Sequence, residues 1–247
     1  RGEHRVTVPV GVAPGGGAGS LEPVAGEILD DPLVTQPACF VKLVPEGAAP
    51  LTMDQHVQLL GDLAALAART WGWTDDVGLL PYGNRWVFAS DDLVEAERRR
   101  GFADVVPRLM AEGWERFAER AAPGVRDLVL DLRRQPQPLV DSLAVTPQCF
   151  LHGDWKLGNT GLARDGRTIL LDWTYCGPGP VAHELGWYLA LNRARLPETK
   201  EATIETFRRA LQEHGVATDP WWERQVGLCL LGTVVQFGWE KALGGDD

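Results

Sequence analysis

The chain has 247 residues, enough for one or two domains, and with 45% hydrophobic and 23% charged residues it has ordinary globular composition, which argues against wholesale disorder. Its 24 basic and 34 acidic residues give a formal charge of −10, and no stretch gathers Lys or Arg as a phosphate-backbone binder requires. Nucleic acid is therefore not expected as a partner, whereas surplus acid would suit a cationic substrate and also serves solubility.

Arg98, Arg99 and Arg100 follow Glu95 and Glu97 and read as a solvated helix face. Cys39, Cys149, Cys176 and Cys229 are scattered without a CxxC pair, which argues against zinc and against a disulfide framework. Reduced thiols in a cytoplasmic protein are the plain reading. No charged-then-apolar signal segment opens the chain. The most apolar stretch, Val226 to Trp239, is broken by Gly227, Gly232, Thr233 and Gln236, so it reads as a buried helix and not a membrane span. The first residue is Arg1 and not Met, which reads as a trimmed chain or a fragment.

In chain order, residues 1–50 are rich in Gly and Pro, with strand-like pieces at Arg5–Val10 and Cys39–Leu43 and a loop at Gly15–Gly19. Thr52-Met53-Asp54-Gln55 is a capping-box pattern, followed at helical spacing by Val57, Leu60, Leu63, Ala64 and Ala67 and ending near Trp71-Gly72. Further helices are predicted around 91–100, 104–121 and 124–134, with breaks at Pro136 and Pro138. A short β-rich island comes next, with Cys149–Leu151, Gly161–Ala163 and Thr168–Leu171 as strands and Asp165-Gly166 as a hairpin turn. Three helices close the chain: Pro180 to Asn192, Pro197 to His214 with Gly215 just beyond, and one from Asp219-Pro220 towards Gly244. Runs of helices around a small hairpin make an α+β arrangement. Trp114, Trp187 and Trp239 belong in its core, and His56 and His214 on helix surfaces. Trp155 and Trp173 adjoin the segment that carries the chemistry.

That segment is His152-Gly153-Asp154-Trp155-Lys156-Leu157-Gly158-Asn159, with Asp172 thirteen residues after Asn159. If Asp165-Gly166 form a two-residue turn, Leu162 opposes Ile169, Thr160 opposes Leu171, and Asn159 opposes Asp172. Opposed residues share a face with Cα atoms roughly 4.5–5.5 Å apart. An amide oxygen and a carboxylate would then stand together as hard ligands of the kind Mg²⁺ accepts. A one-residue slip would turn them to opposite faces. Asp154, in a loop with two glycines, is placed to hold a substrate hydroxyl and take its proton. Lys156 would set positive charge on a moving phosphoryl group. A metallophosphoesterase would need an Asn-His pair and more ligand histidines, yet only His183 and His214 follow.

HGDWKLGN followed by DW resembles the HGDxxxxN…D signature of the aminoglycoside phosphotransferase and choline kinase-like enzymes, and the protein-kinase catalytic loop H-R-D-x-K-x-x-N. The resemblance implies a protein kinase-like fold and a phosphotransferase that uses ATP or GTP with Mg²⁺ and a small polar hydroxyl substrate. It makes Asp154 the catalytic base, Asn159 and Asp172 the metal ligands, Lys156 a γ-phosphate contact and His152 a scaffold residue. Gly177-Pro178-Gly179-Pro180 running into His183-Glu184-Leu185-Gly186-Trp187 resembles the family's next segment, with Glu184 where Asp is commoner and no role carried onto it. The likeness covers about residues 38–240. It makes 51–247 the mostly helical C-terminal lobe, its β-hairpin carrying the catalytic and metal-binding loop, and 1–50 a remnant of the amino-terminal lobe, a hinge or a linker.

A nucleotide lid is hard to find. Gly15–Gly19, Cys39–Leu43 and Lys42 could supply its loop, strand and lysine, but the helix 52–70 holds no Glu, only Asp54 and Asp62. Lys42 is therefore read as a surface lysine and most of the amino-terminal lobe as absent. The alternative function is a non-catalytic remnant or binding module that keeps the larger lobe.

Overall fold

The computed structural model describes Val41–Lys42 and residues 50–101, 105–162 and 166–244. The expected strand at Arg5–Val10 and loop at Gly15–Gly19 lie outside the described residues. Contacts group Cys39–Asp247 into one compact unit.

Strand β1 (Val41–Lys42) falls inside the strand expected at Cys39–Leu43. Helix α1 (Met53–Arg69) starts with the expected capping box: Gln55 N–H donates to Thr52 Oγ1 at 3.2 Å and Thr52 N–H to Gln55 Oε1 at 3.0 Å. Its buried face carries His56, Leu59, Leu60, Leu63, Ala64 and Ala67, while Val57 is exposed. The apolar stripe is thus rotated from the expected one. A 3₁₀ segment over Tyr82–Ala89 leads into α2 (Asp91–Arg99), α3 (Val105–Arg120) and α4 (Pro123–Arg134). Pro136 and Pro138, read as breaks, in fact cap and open a further helix, α5 (Gln137–Ala144), where a missing N–H costs nothing in the first turn.

Strands β2 (Gln148–Leu151), β3 (Thr160–Leu162), β4 (Thr168–Leu170) and β5 (Gly177–Pro180) form two antiparallel sheets, in the orders β1-β3-β4 and β2-β5. The remaining helices are α6 (His183–Asn192), α7 (Lys200–Glu213, capped by Thr199) and α8 (Trp222–Leu243). Pro197 consequently precedes its helix and does not sit in the first turn. Helix α8 packs against α3, α4, α5 and α6, and α1 against α7 and β2. Trp114, Trp187 and Trp239 are buried, as expected. The outcome is the α+β class: mostly helical with small antiparallel sheets. Among the described residues no helix is long and apolar enough to cross a membrane.

Candidate active site

The β3–β4 ladder pairs Thr160 with Leu170, Gly161 with Ile169 and Leu162 with Thr168. This is one residue out from the register that a two-residue Asp165-Gly166 turn demands. Five residues, 163–167, connect the paired ends, and α1 anchors the far side. Asp62 Oδ2 accepts from Thr168 Oγ1 at 2.5 Å, and Gln58 Nε2 donates to Gly166 O at 2.8 Å. Asn159 therefore faces Leu171, whose N–H donates to Asn159 O at 2.8 Å, and does not oppose Asp172. The slip does not decide where Asp172 points, because that residue has left the strand with φ 60°. Positive φ is uncommon outside glycine, although Asp tolerates it, and strand alternation does not extend through it.

Around Asp154 the loop closes on itself. The Asp154 side chain is buried, and its Oδ2 accepts from Lys156 Nζ at 2.6 Å and from Asn159 Nδ2 at 2.8 Å. Asn159 Nδ2 also donates to Asp154 O at 3.1 Å, so the amide nitrogen is committed and its oxygen is the atom left for another partner. Among the described residues, the buried Asp154 Oδ1 has no hydrogen-bond partner. His152, fully buried, accepts the Asp154 N–H on Nδ1 at 3.2 Å. That bond fixes the tautomer, so Nε2–H donates to Leu171 O at 2.8 Å. One imidazole thus ties the loop to the residue preceding Asp172. Trp155 is buried, with its ring 6.3 Å from that of His152, and half-buried Trp173 lies 4.6 Å from the same imidazole.

Asp172 is exposed, and its Oδ1 accepts from Thr174 Oγ1 at 2.6 Å. The Thr174 hydroxyl, with its N–H, Lys156 and His152, holds the Asp172 carboxyl below its ordinary pKa against a partial desolvation penalty. Half-buried Tyr175 has its pKa raised, by burial first and then by the charges of Asp154 and Asp172. Both carboxylates and Lys156 therefore share one electrostatic neighbourhood.

Two residues without an assigned role prove central to this geometry. Glu184, buried at the start of α6, accepts the Gly153 N–H on Oε1 at 2.7 Å. Burial pushes its pKa up, opposed in part by His152, the Gly153 N–H and Arg85. Arg85, also buried, donates to Tyr175 O at 2.5 Å and through Nη1 to Pro178 O at 3.3 Å and Leu80 O at 3.4 Å. The available signals were faint: Arg85 is the sole charge between Asp76 and Asp91, and Glu184 is the one acidic residue of the mostly apolar helix α6. His56, expected on a surface, is fully buried between Tyr188 OH and Glu198 Oε1, each 2.9 Å away. His214 is exposed, as expected.

By their chemistry alone, Asn159 and Asp172 are the residues that could hold a Mg²⁺ ion. Asn159 and Asp172 offer hard oxygens, and no group of three or more His, Cys, Asp or Glu gathers in a metal-binding arrangement among the described residues. A cation here would keep water and phosphate oxygens for most of its shell, which is the habit of Mg²⁺.

The sequence model of the phosphotransferase enzyme family matches residues 4–221, most of the chain. This protein belongs to that family. The match begins upstream of the roughly 38–240 span carried by the motifs and stops just before α8. A comparison with curated proteins returns no match.

Proposed function

We propose that this protein transfers the γ-phosphoryl group of ATP or GTP to a hydroxyl of a small polar molecule, in the manner of the aminoglycoside phosphotransferases. The observation that carries the reading is the state of Asp154. One oxygen is held by Lys156 and Asn159, and the other is buried with no hydrogen-bond partner among the described residues. A carboxylate fixed through one oxygen, with the other not bonded by the described residues, suits an alcohol that must be oriented and then deprotonated.

In this reading the acceptor oxygen attacks the γ-phosphorus as the bond to the nucleoside diphosphate breaks, and the acceptor's proton passes to Asp154. Lys156 neutralises charge beside the transferring group. Asn159 and Asp172 would hold Mg²⁺, which when bound spreads the charge of the phosphate oxygens. The depressed pKa of Asp172 further favours its carboxylate form, the form in which a carboxyl group binds a metal. The charge of −10 favours a cationic acceptor such as an amino sugar or amino alcohol, and gives no support to nucleic acid as a partner. The free Cys149, Cys176 and Cys229 are in keeping with a cytoplasmic protein.

The test is Asp154→Ala in the full-length protein, assayed with Mg·ATP and Mg·GTP against a panel of amino sugars and amino alcohols. Loss of a positioned base should lower turnover by about 10²–10⁴-fold with the circular dichroism spectrum unchanged. Wild-type turnover in that variant refutes the assignment.

A further inference from the structure

The site depends on two stretches that run side by side: the loop 152–154 that carries Asp154, and the segment 172–178 that begins with Asp172. Gly153 sits at their contact with φ 85°, and a Cβ there would lie 2.1 Å from Tyr175 O. No side chain fits, so the spacing of the two stretches is set by where the Tyr175 carbonyl is held. Arg85 holds it. Its Nη2 donates to Tyr175 O at 2.5 Å, while Nη1 reaches Pro178 O at 3.3 Å and Leu80 O at 3.4 Å. Gly177, between those carbonyls, leaves only 2.5 Å between an added Cβ and Leu80 O, so Arg85's own segment is packed hard against the same backbone. Glu184 in turn holds the Gly153 N–H.

We infer that Arg85 is a positioning residue for phosphoryl transfer, which sets the separation of Asp154 from Asp172 by clamping the Tyr175 carbonyl against Gly153 while it also holds the Pro178 carbonyl. It touches no reacting atom. Its guanidinium suits the task because one planar fork can serve several carbonyls, whereas an ammonium is a point donor. Arg85 lies in the 3₁₀ segment that leads into α2–α5, so it also ties those helices to the reaction loop.

The inference rests on the phosphotransfer reading, and the experiment separates the two. Arg85→Met and Arg85→Lys are made in the full-length protein, with Asp154→Asn and the remote core variant Val129→Ala as comparators. Three quantities are read: Mg·ATP turnover with water as acceptor, Mn²⁺ affinity by electron paramagnetic resonance with a non-hydrolysable ATP analogue, and amide hydrogen exchange without ligand. Arg85→Met should lose about 10²-fold in turnover and about 10-fold in Mn²⁺ affinity, with faster exchange confined to 152–154 and 172–178. Arg85→Lys should fall between Met and wild type, and it decides the matter alone if the Met variant does not fold. Val129→Ala should lower the melting temperature and leave turnover and Mn²⁺ affinity alone, which is the signature of a merely structural role. Folded Arg85 variants within twofold of wild type in turnover and metal affinity, beside an inactive Asp154→Asn, overturn this inference and leave the reading standing. A wild type that neither hydrolyses nucleotide nor binds Mn²⁺ ends both.

Discussion

Glu184 takes a carboxyl group into the interior to hold the loop amides of Gly153 and Trp155, and burial raises its pKa in return. The consequence for stability has a definite sign. A carboxyl whose folded pKa lies above its unfolded value of about 4.3 adds stability fully below that value, and the contribution is lost as pH rises through the folded pKa. Glu184→Gln keeps an acceptor for Gly153 N–H and does not titrate. Urea unfolding between pH 4 and 7 should therefore show the wild-type advantage over the Gln variant shrinking as pH rises, by at most about 1.4 kcal/mol per pH unit. A difference that stays flat or grows would contradict the buried, raised carboxyl. At this scale the gathering of Asp154, Lys156 and Asn159 was legible, because a motif with fixed spacing survives any error in the strands around it, whereas the pairing of Asn159 with Asp172 was not. Nor were Glu184, Arg85 and His56. Their partners are backbone carbonyls and amides, a hydroxyl and, 142 residues away, a carboxylate, and no local pattern announces such bonds.

Between elements, α3 and α8 meet backbone to backbone at Gly113, where a Cβ would lie 2.3 Å from Trp239 O and 2.8 Å from its carbonyl carbon. Backbone cannot step aside as a flexible side chain can. Gly113→Ala should cost about 1–3 kcal/mol through overpacking. Gly61→Ala, in α1 with no atom within 4 Å of the added carbon, should gain about 0.4–1 kcal/mol by stiffening the unfolded chain. Thermal unfolding of the two variants in parallel checks both, and equal effects would mean that the crossing has slack. Most helices were readable because each has one apolar face repeating every turn. Helix α5 was hidden by Pro136 and Pro138, and β5 by its Gly-Pro-Gly-Pro sequence, which pairs with β2 although it alternates nothing. The register of β3 and β4 escaped as well. It is set by a five-residue connection and by Asp62 and Gln58 reaching in from α1, while the Asp-Gly signal speaks only for a shorter turn.

At the scale of the whole molecule, the family match ends at residue 221 and the helix that holds the fold together begins at Trp222. Helix α8 has no polar face to speak of. Trp222, Val226, Val235, Phe237 and Trp239 are all buried, and Gln225 and Gln236 point into the protein. At roughly 1.5–3 kcal/mol for each large apolar side chain, those five contribute on the order of 10 kcal/mol, comparable with the whole net stability of a typical domain. The two glutamines extend the argument to the site. Gln225 accepts the Ala182 N–H at 2.9 Å and donates to Thr146 Oγ1 at 2.7 Å, and Gln236 accepts the Trp187 indole N–H at 2.8 Å. Ala182 and Trp187 flank Glu184, so α8 seats the helix that holds Gly153. A chain cut after Trp221 keeps every matched family residue and every proposed site residue, yet it exposes the inner faces of α3 and α6 and strands those buried donors. It should retain far-ultraviolet helical signal, lose the near-ultraviolet signal of its packed tryptophans and bind a hydrophobic dye, the behaviour of a collapsed chain without fixed packing. A truncated chain that unfolds cooperatively near the wild-type midpoint would show that α8 is dispensable and that the core is closed without it.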